Sequence, residues 1–143
     1  MADLAAGKIA FDLVTPTALA ISEQVDMVVV PGAEGDIGVL PGHTPLITTL
    51  RPGLVDIHND GRITESLFVS GGFAEATPER CTVLAESVIA VADVSAADAD
   101  SRVNAARDAF AGANADEKAA AEAELRAAEA LARAVAMRRG TAA

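Results

Sequence analysis

The chain has 143 residues, enough for one compact domain and a small appendage, and 51% of them are apolar, so a folded core is expected. With no Trp or Tyr and only four Phe, that core must be built from Val, Ile, Leu and Ala. A net charge of −10 repels nucleic acid and anionic lipid, a single cysteine excludes an internal disulfide and a Cys-based zinc site, and no apolar run of about 18 residues is present to span a membrane.

Taken from its start, the chain lacks a basic region followed by a long apolar stretch, and Met1 to Ala10 contain no Arg or Ser. Neither a secretory signal nor an organellar transit peptide is expected, which points to a bacterial cytoplasm. Short β-branched runs then alternate with turn signals. They are Ile9 to Val14, Val25 to Val30, Leu46 to Leu50, Leu54 to Ile57, Arg62 to Val69, Phe73 to Ala76 and Cys81 to Glu86. Pro16, Pro31-Gly32, Pro52-Gly53, Asn59-Asp60-Gly61, Gly71-Gly72 and Thr77-Pro78 punctuate them, Asn59-Asp60-Gly61 being a hairpin signal. All six prolines and nine of the eleven glycines fall before residue 79. No helical pattern separates the runs, so an all-β sandwich or barrel is favoured over a βαβ fold.

From Ser95 the pattern turns helical. Ser95 with Asp98 resembles a capping box, and Ala99, Val103, Ala106 and Phe110 share one helix face up to Gly112. Asn114 with Glu117 opens a second helix, expected to end near Arg139 with Gly140 as its C-terminal stop. Leu125, Ala128, Leu131, Ala132 and Val135 form its apolar stripe, with Glu122–Arg126 and Glu129–Arg133 as favourable pairs four residues apart. The short connection implies an antiparallel hairpin. The domain boundary is therefore set at residue 93: a β domain over 1–93 and a helical hairpin over 94–143. Charge differs between them: residues 1–94 carry 13 acids and 4 bases, whereas residues 95–143 carry 8 and 7. The hairpin's stripes are mostly Ala, which buries far less than the roughly 1.5–3 kcal/mol of a Val, Leu or Phe. A detachable hairpin and an ordinary fixed one are equally compatible with that interior.

No residue set assembles into a catalytic, cofactor or metal site. The glycines at 32, 35 and 38 lack phosphate-loop spacing and a following helix, and Glu34 and Asp36 would repel phosphate; tight turns linking strands are the expectation. His43 and His58 stand fifteen residues apart without ligand spacing. Cys81 falls in an alternating strand and reads as a buried thiol. Ser70, beside Gly71-Gly72, is expected to bond the turn backbone.

Two exact strings do point to a family. Val30-Pro31-Gly32-Ala33-Glu34-Gly35-Asp36-Ile37-Gly38-Val39-Leu40-Pro41-Gly42-His43-Thr44-Pro45-Leu46 and Phe68-Val69-Ser70-Gly71-Gly72-Phe73-Ala74-Glu75 resemble the signature of the ATP synthase epsilon chain family, the epsilon subunit of bacterial F-type enzymes. Arg51-Pro52-Gly53 and Thr82-Val83-Leu84-Ala85-Glu86 follow in the family's order.

The resemblance implies a β sandwich of about ten short strands and a C-terminal antiparallel helix pair. It implies a non-catalytic rotor subunit of the central stalk, peripheral on the cytoplasmic face of the inner membrane. Its partners would be the gamma subunit and the c-ring. It places Glu34, Asp36 and His43 at the c-ring contact. Arg126, Arg133, Arg138 and Arg139 would meet the catalytic alpha/beta head if the hairpin extends and inhibits ATP hydrolysis. In the isolated subunit the hairpin would be docked. Some bacterial members bind ATP through Ile or Leu, Asp, two variable residues, Arg and Ala on the first helix. In the matching stretch, Asp98 to Val103, Arg102 fits, but Ala99 and Val103 replace the Asp and the Ala. Asp98, Asp100 and Asp108 add repulsion, so no ATP binding is expected. Alternatives outside the family are a stand-alone β-sandwich module for a ligand or peptide, and a small hydrolase using His43 or Cys81.

Overall fold

The computed structural model describes residues 7–141, with side chains over residues 7–138. Ten strands come first: β1 (Ile9–Thr15), β2 (Ala18–Val25), β3 (Met27–Gly32), β4 (Gly35–Val39), β5 (Leu46–Leu50), β6 (Gly53–Asn59), β7 (Arg62–Val69), β8 (Gly72–Ala76), β9 (Arg80–Ala85) and β10 (Val88–Ala90). A 3-10 turn at Val91–Asp93 leads to helices α1 (Ala96–Ala111) and α2 (Lys118–Thr141). The chain divides into two compact units between Val88 and Ile89.

Three of these strands have no counterpart among the seven runs read from the sequence, and each has a physical reason. β2 is an edge strand, and every residue before Val25 is exposed or half-exposed, so it shows no apolar alternation. β4 contains two glycines in five residues, which hides it among turn signals. Gly32, Gly35 and Gly38, expected in turns, lie in β3 and β4. β10 has only three residues. The expected run Val25 to Val30 breaks at Asp26, between β2 and β3.

All ten strands join one sheet in the order β10-β7-β6-β3-β5-β8-β9-β1-β2, with β4 attached to β3. Only Arg51 and Pro52 separate β5 from β6, and both strands lie beside β3. β6 pairs along Met27–Val29, and β5 pairs at Gly32 alone. The Arg51 backbone N–H donates to the Pro31 carbonyl at 3.0 Å across this kink. The sheet curls there, so that the runs β7-β6-β3-β4 and β5-β8-β9-β1-β2 close over one core. Alternate residues supply it: Ile9, Phe11 and Leu13; Val28 and Val30; Val55 and Ile57; Cys81, Val83 and Ala85. The Asn59-Asp60-Gly61 signal is the β6–β7 turn, with Asp60 at φ 55°.

A polar latch ties the start of β1 to the start of β3. Lys8 Nζ lies 2.6 Å from Asp26, whose other carboxylate oxygen accepts the Asp60 N–H at 2.7 Å. The Lys8 ammonium, and then the Asp60 N–H, hold the Asp26 carboxyl below the usual carboxylate range. A depressed folded pKa stabilises above the unfolded value, about 3.9 for Asp, and the contribution disappears as pH falls through the folded value. The pair also raises Lys8, and that part is lost only as strongly alkaline pH passes its folded value. Thermal melts between pH 5 and pH 2.5 should therefore show the wild type losing more stability than Asp26→Asn. Parallel curves over that range would remove Asp26 from the acid response.

In the second unit, Ser95 Oγ accepts the Asp98 N–H at 3.0 Å and caps α1, which buries Ala99 and Val103. Gly112 ends that helix. Asn114 and Glu117 form a reciprocal capping box at 3.0 and 3.2 Å. The Lys118 ammonium sits 4.6 Å above the Phe110 ring, stapling the turn. Leu131, Ala134 and Val135 are the buried face of α2. Two expectations are corrected. Helix α2 continues through Gly140 to Thr141, because one glycine lowers helix propensity without forcing a stop. Glu129 reaches across the hairpin to Arg107 at 3.8 Å, since a facing helix offers a partner that spacing along one helix cannot show.

Candidate functional site

The β3–β4 hairpin forms a flap beside the kink, with Val28, Val30 and Val39 turned into the core. Its turn is Ala33-Glu34, and β4 pairs only with β3. Arg51 crosses beneath it. The guanidinium donates to the Gly32 carbonyl and to Asp36 Oδ1, each at 2.5 Å. Asp36 is therefore already ion-paired within the chain. Glu34 is exposed and makes no hydrogen bond or ion pair among the described residues. His43 stands beyond the far end of β4, roughly 17 Å from the turn for five residues at ~3.4 Å each. There its Nδ1 lies 2.6 Å from the Thr44 carbonyl, while the Gly42 N–H donates to Pro78. The fold thus brings Glu34 and Asp36 together and leaves His43 apart.

The basic residues of α2 are also dispersed. Arg126 pairs with Glu122 at 2.5 Å, and Arg133 lines a shallow cleft with Asp100, Asn104, Arg107 and Glu129. Arg138 is exposed, roughly a third of a turn round the helix from Arg126. The Arg139 side chain lies outside the described residues. Arg102 is exposed and does not line the cleft.

The outer face of the run β5-β8-β9-β1-β2 carries a feature that the sequence hides. Strand register places Thr49 opposite Phe73, Phe73 opposite Leu84, Leu84 opposite Val14 and Val14 opposite Leu19. One residue from each of five strands thus makes a straight row, roughly 19 Å long at ~4.8 Å per strand. Phe73, Leu84 and Leu19 are 53%, 52% and 60% exposed. The neighbouring row is polar: Glu75, Thr82, Asp12 and Ser22 lie opposite one another in turn. Arg80 and the Ser22 hydroxyl both bind Asp12 there. An apolar strip beside a hydrogen-bonded polar rim is the anatomy of a protein interface. Only strand register exposes it, because its members are scattered from Val14 to Leu84.

The nucleophile candidates fare differently. Cys81 is fully buried, and burial pushes its thiol up to about 12, so no thiolate forms near neutral pH. The Ser70 hydroxyl meets the Ser87 hydroxyl at 2.8 Å, correcting the expected bond to the turn backbone. Among the described residues, no cluster of His, Cys, Asp or Glu is placed to hold a metal ion, and no helix is long and apolar enough to cross a membrane.

Fold and surface together define a β-sandwich domain followed by a helical hairpin, with its densest chemistry facing outward. Residues 8–91 match the family described as ATP synthase, Delta/Epsilon chain, beta-sandwich domain. The ATP synthase epsilon chain of Paramagnetospirillum magneticum is 53% identical over 132 residues, 92% of this chain and 99% of that one. The epsilon chain of Parvibaculum lavamentivorans is 48% identical over 113 residues, 79% of this chain and 86% of its own. The chain belongs to the ATP synthase epsilon chain family. Its fold recurs in a solved assembly of the Euglena gracilis mitochondrial ATP synthase containing OSCP, F1 and the c-ring, with a TM-score of 0.79 at 20% identity, over 94% of this chain and 84% of that chain.

Proposed function

We propose that the chain is a non-catalytic rotor subunit that links the gamma subunit to the c-ring, so that ring rotation and gamma rotation stay coupled during ATP synthesis. The observation that carries this reading is the exposed row Leu19–Val14–Leu84–Phe73. Gamma covers it, with the Arg80–Asp12–Ser22 rim setting orientation. The flap and the loop that follows it, with Glu34, Asp36 and His43, face polar loops of the c-ring, Glu34 at the turn and His43 beyond the other end of β4. A chain of the central stalk and c-ring assembly of the Tetrahymena thermophila mitochondrial ATP synthase shares this fold, which fits a place in the stalk. The protein sits peripherally on the cytoplasmic face of the inner membrane. The hairpin extends towards the catalytic head, where Arg126, Arg133, Arg138 and Arg139 meet acidic loops and slow ATP hydrolysis.

The boundary at Asp93 is part of this proposal and makes it testable. A chain ending at Asp93 should keep a cooperative thermal transition and copurify with gamma. Added to the catalytic head with gamma, the intact chain should lower ATP hydrolysis, and the shortened one should not. A shortened chain that folds but does not copurify would sink the docking assignment. Equal hydrolysis with both chains would remove the inhibitory role.

A further inference from the structure

Two carboxylates sit on the flap, but they are chemically unequal. Asp36 is ion-paired with Arg51, while Glu34 sits at the turn without a partner among the described residues. Arg51 is the only described side chain that hydrogen-bonds across to the flap, beside one further backbone bond from the Ala33 N–H to the Thr49 carbonyl at 2.9 Å. The Arg51 backbone N–H holds Pro31, and its guanidinium spans the Gly32 carbonyl and the Asp36 carboxylate, one on each strand of the hairpin. A guanidinium suits this task because its rigid fork serves two acceptors at once. Beside Glu34, a shallow depression is lined by Ile37, Ile47, Thr48 and Thr49, with Ile47 70% exposed. Asp36 lines the depression as well, on its Arg51-paired side; the two isoleucines and the free Glu34 carboxylate match a long basic side chain, whose methylene stem lies along isoleucine while its charge reaches the acid.

We propose that Arg51 is a positioning residue. It locks the flap and cancels Asp36, so that Glu34 alone reads a Lys or Arg on the partner's loop. This deepens the c-ring contact proposed above and rests on it. The alternative, in which both acids contact the partner equally, requires the Arg51–Asp36 pair to break on docking.

The test combines amide hydrogen exchange over Gly35–Val39 in the free, full-length chain with binding of that chain to purified c-ring and gamma. Glu34→Gln should leave exchange unchanged and weaken binding about tenfold, with reduced salt sensitivity. Arg51→Gln should speed exchange in β4 about tenfold, leave β1 and β9 unaffected, and weaken binding. Arg51→Lys, whose ammonium is a single point charge, should fall between. In a Glu34→Gln background, Arg51→Gln should cost no further binding, because it acts through Glu34. Unchanged exchange in β4 with Arg51→Gln overturns the lock, and binding losses that multiply in the double variant overturn the coupling to Glu34. If the wild type itself does not bind, the proposed c-ring contact fails, and the exchange result by itself decides whether Arg51 locks the flap.

Discussion

Replacing Phe73 and Leu84 together with aspartate should release the subunit from gamma while leaving its fold intact. Both side chains are about half exposed already, so a charge at either position meets water rather than core. Surface substitutions of this kind usually shift stability by no more than about 0.5 kcal/mol. Binding is a different matter. Phe73 and Leu84 face each other across β8 and β9, at the centre of the row, where interface energy concentrates. Loss of one such anchor costs about 2 kcal/mol, near thirtyfold in affinity, and an aspartate adds an unpaired charge to the buried face. The double variant should bind gamma at least about a hundredfold more weakly. Ile63→Asp is the control: Ile63 is 39% exposed on β7, outside the row. Copurification of the double variant at wild-type levels would show that gamma docks elsewhere.

Local signals in the chain proved readable where one residue answers another nearby. Ser95 and Asp98, Asn114 and Glu117, and the Asn59-Asp60-Gly61 turn all act within four residues, and each forms as its residue types imply. Strands with one wet face and one dry face were legible through alternation, as in Cys81, Val83 and Ala85. β2 was not, because water on both faces removes the pattern. The candidate site depended on distance in sequence. The acceptors for Arg51 lie 15 and 19 residues upstream, so its neutralisation of Asp36 could not be seen before the kink was known. The apolar row needs four strand pairings at once, and Phe73 and Leu84 alone look like ordinary strand residues. The family strings located the flap and implied a contact there. They did not distinguish a paired carboxylate from a free one.

Gly72→Ala should be the most damaging single substitution in the β domain. Gly72 opens β8 and lies between Leu50 of β5 and Ala85 of β9. Its φ of 138° is a conformation that side chains disfavour, and a Cβ there would stand 2.0 Å from the Leu84 carbonyl oxygen and 3.0 Å from Ala85 Cα. Those are backbone atoms of a paired strand, so no rotamer change relieves the contact; β9 must move away from β8. Backbone strain alone costs about 1–3 kcal/mol, and parting the β8–β9 ladder at its Gly72–Ala85 end adds to it. A total near 4 kcal/mol is a large part of the 5–15 kcal/mol that keeps a domain folded. Leu84 would be displaced as well, so any folded fraction should bind gamma poorly. Gly38→Ala provides the contrast within the same domain. Its nearest neighbour would be Met27 Sδ at 3.6 Å, an ordinary contact, and its φ lies outside the left-handed range. That substitution should be neutral or stabilise slightly, by up to about 1 kcal/mol, through the unfolded chain. Thermal melts of the two variants decide the point: a Gly72→Ala transition within a few degrees of the wild type would mean that β9 yields at Leu84 far more easily than paired backbone should.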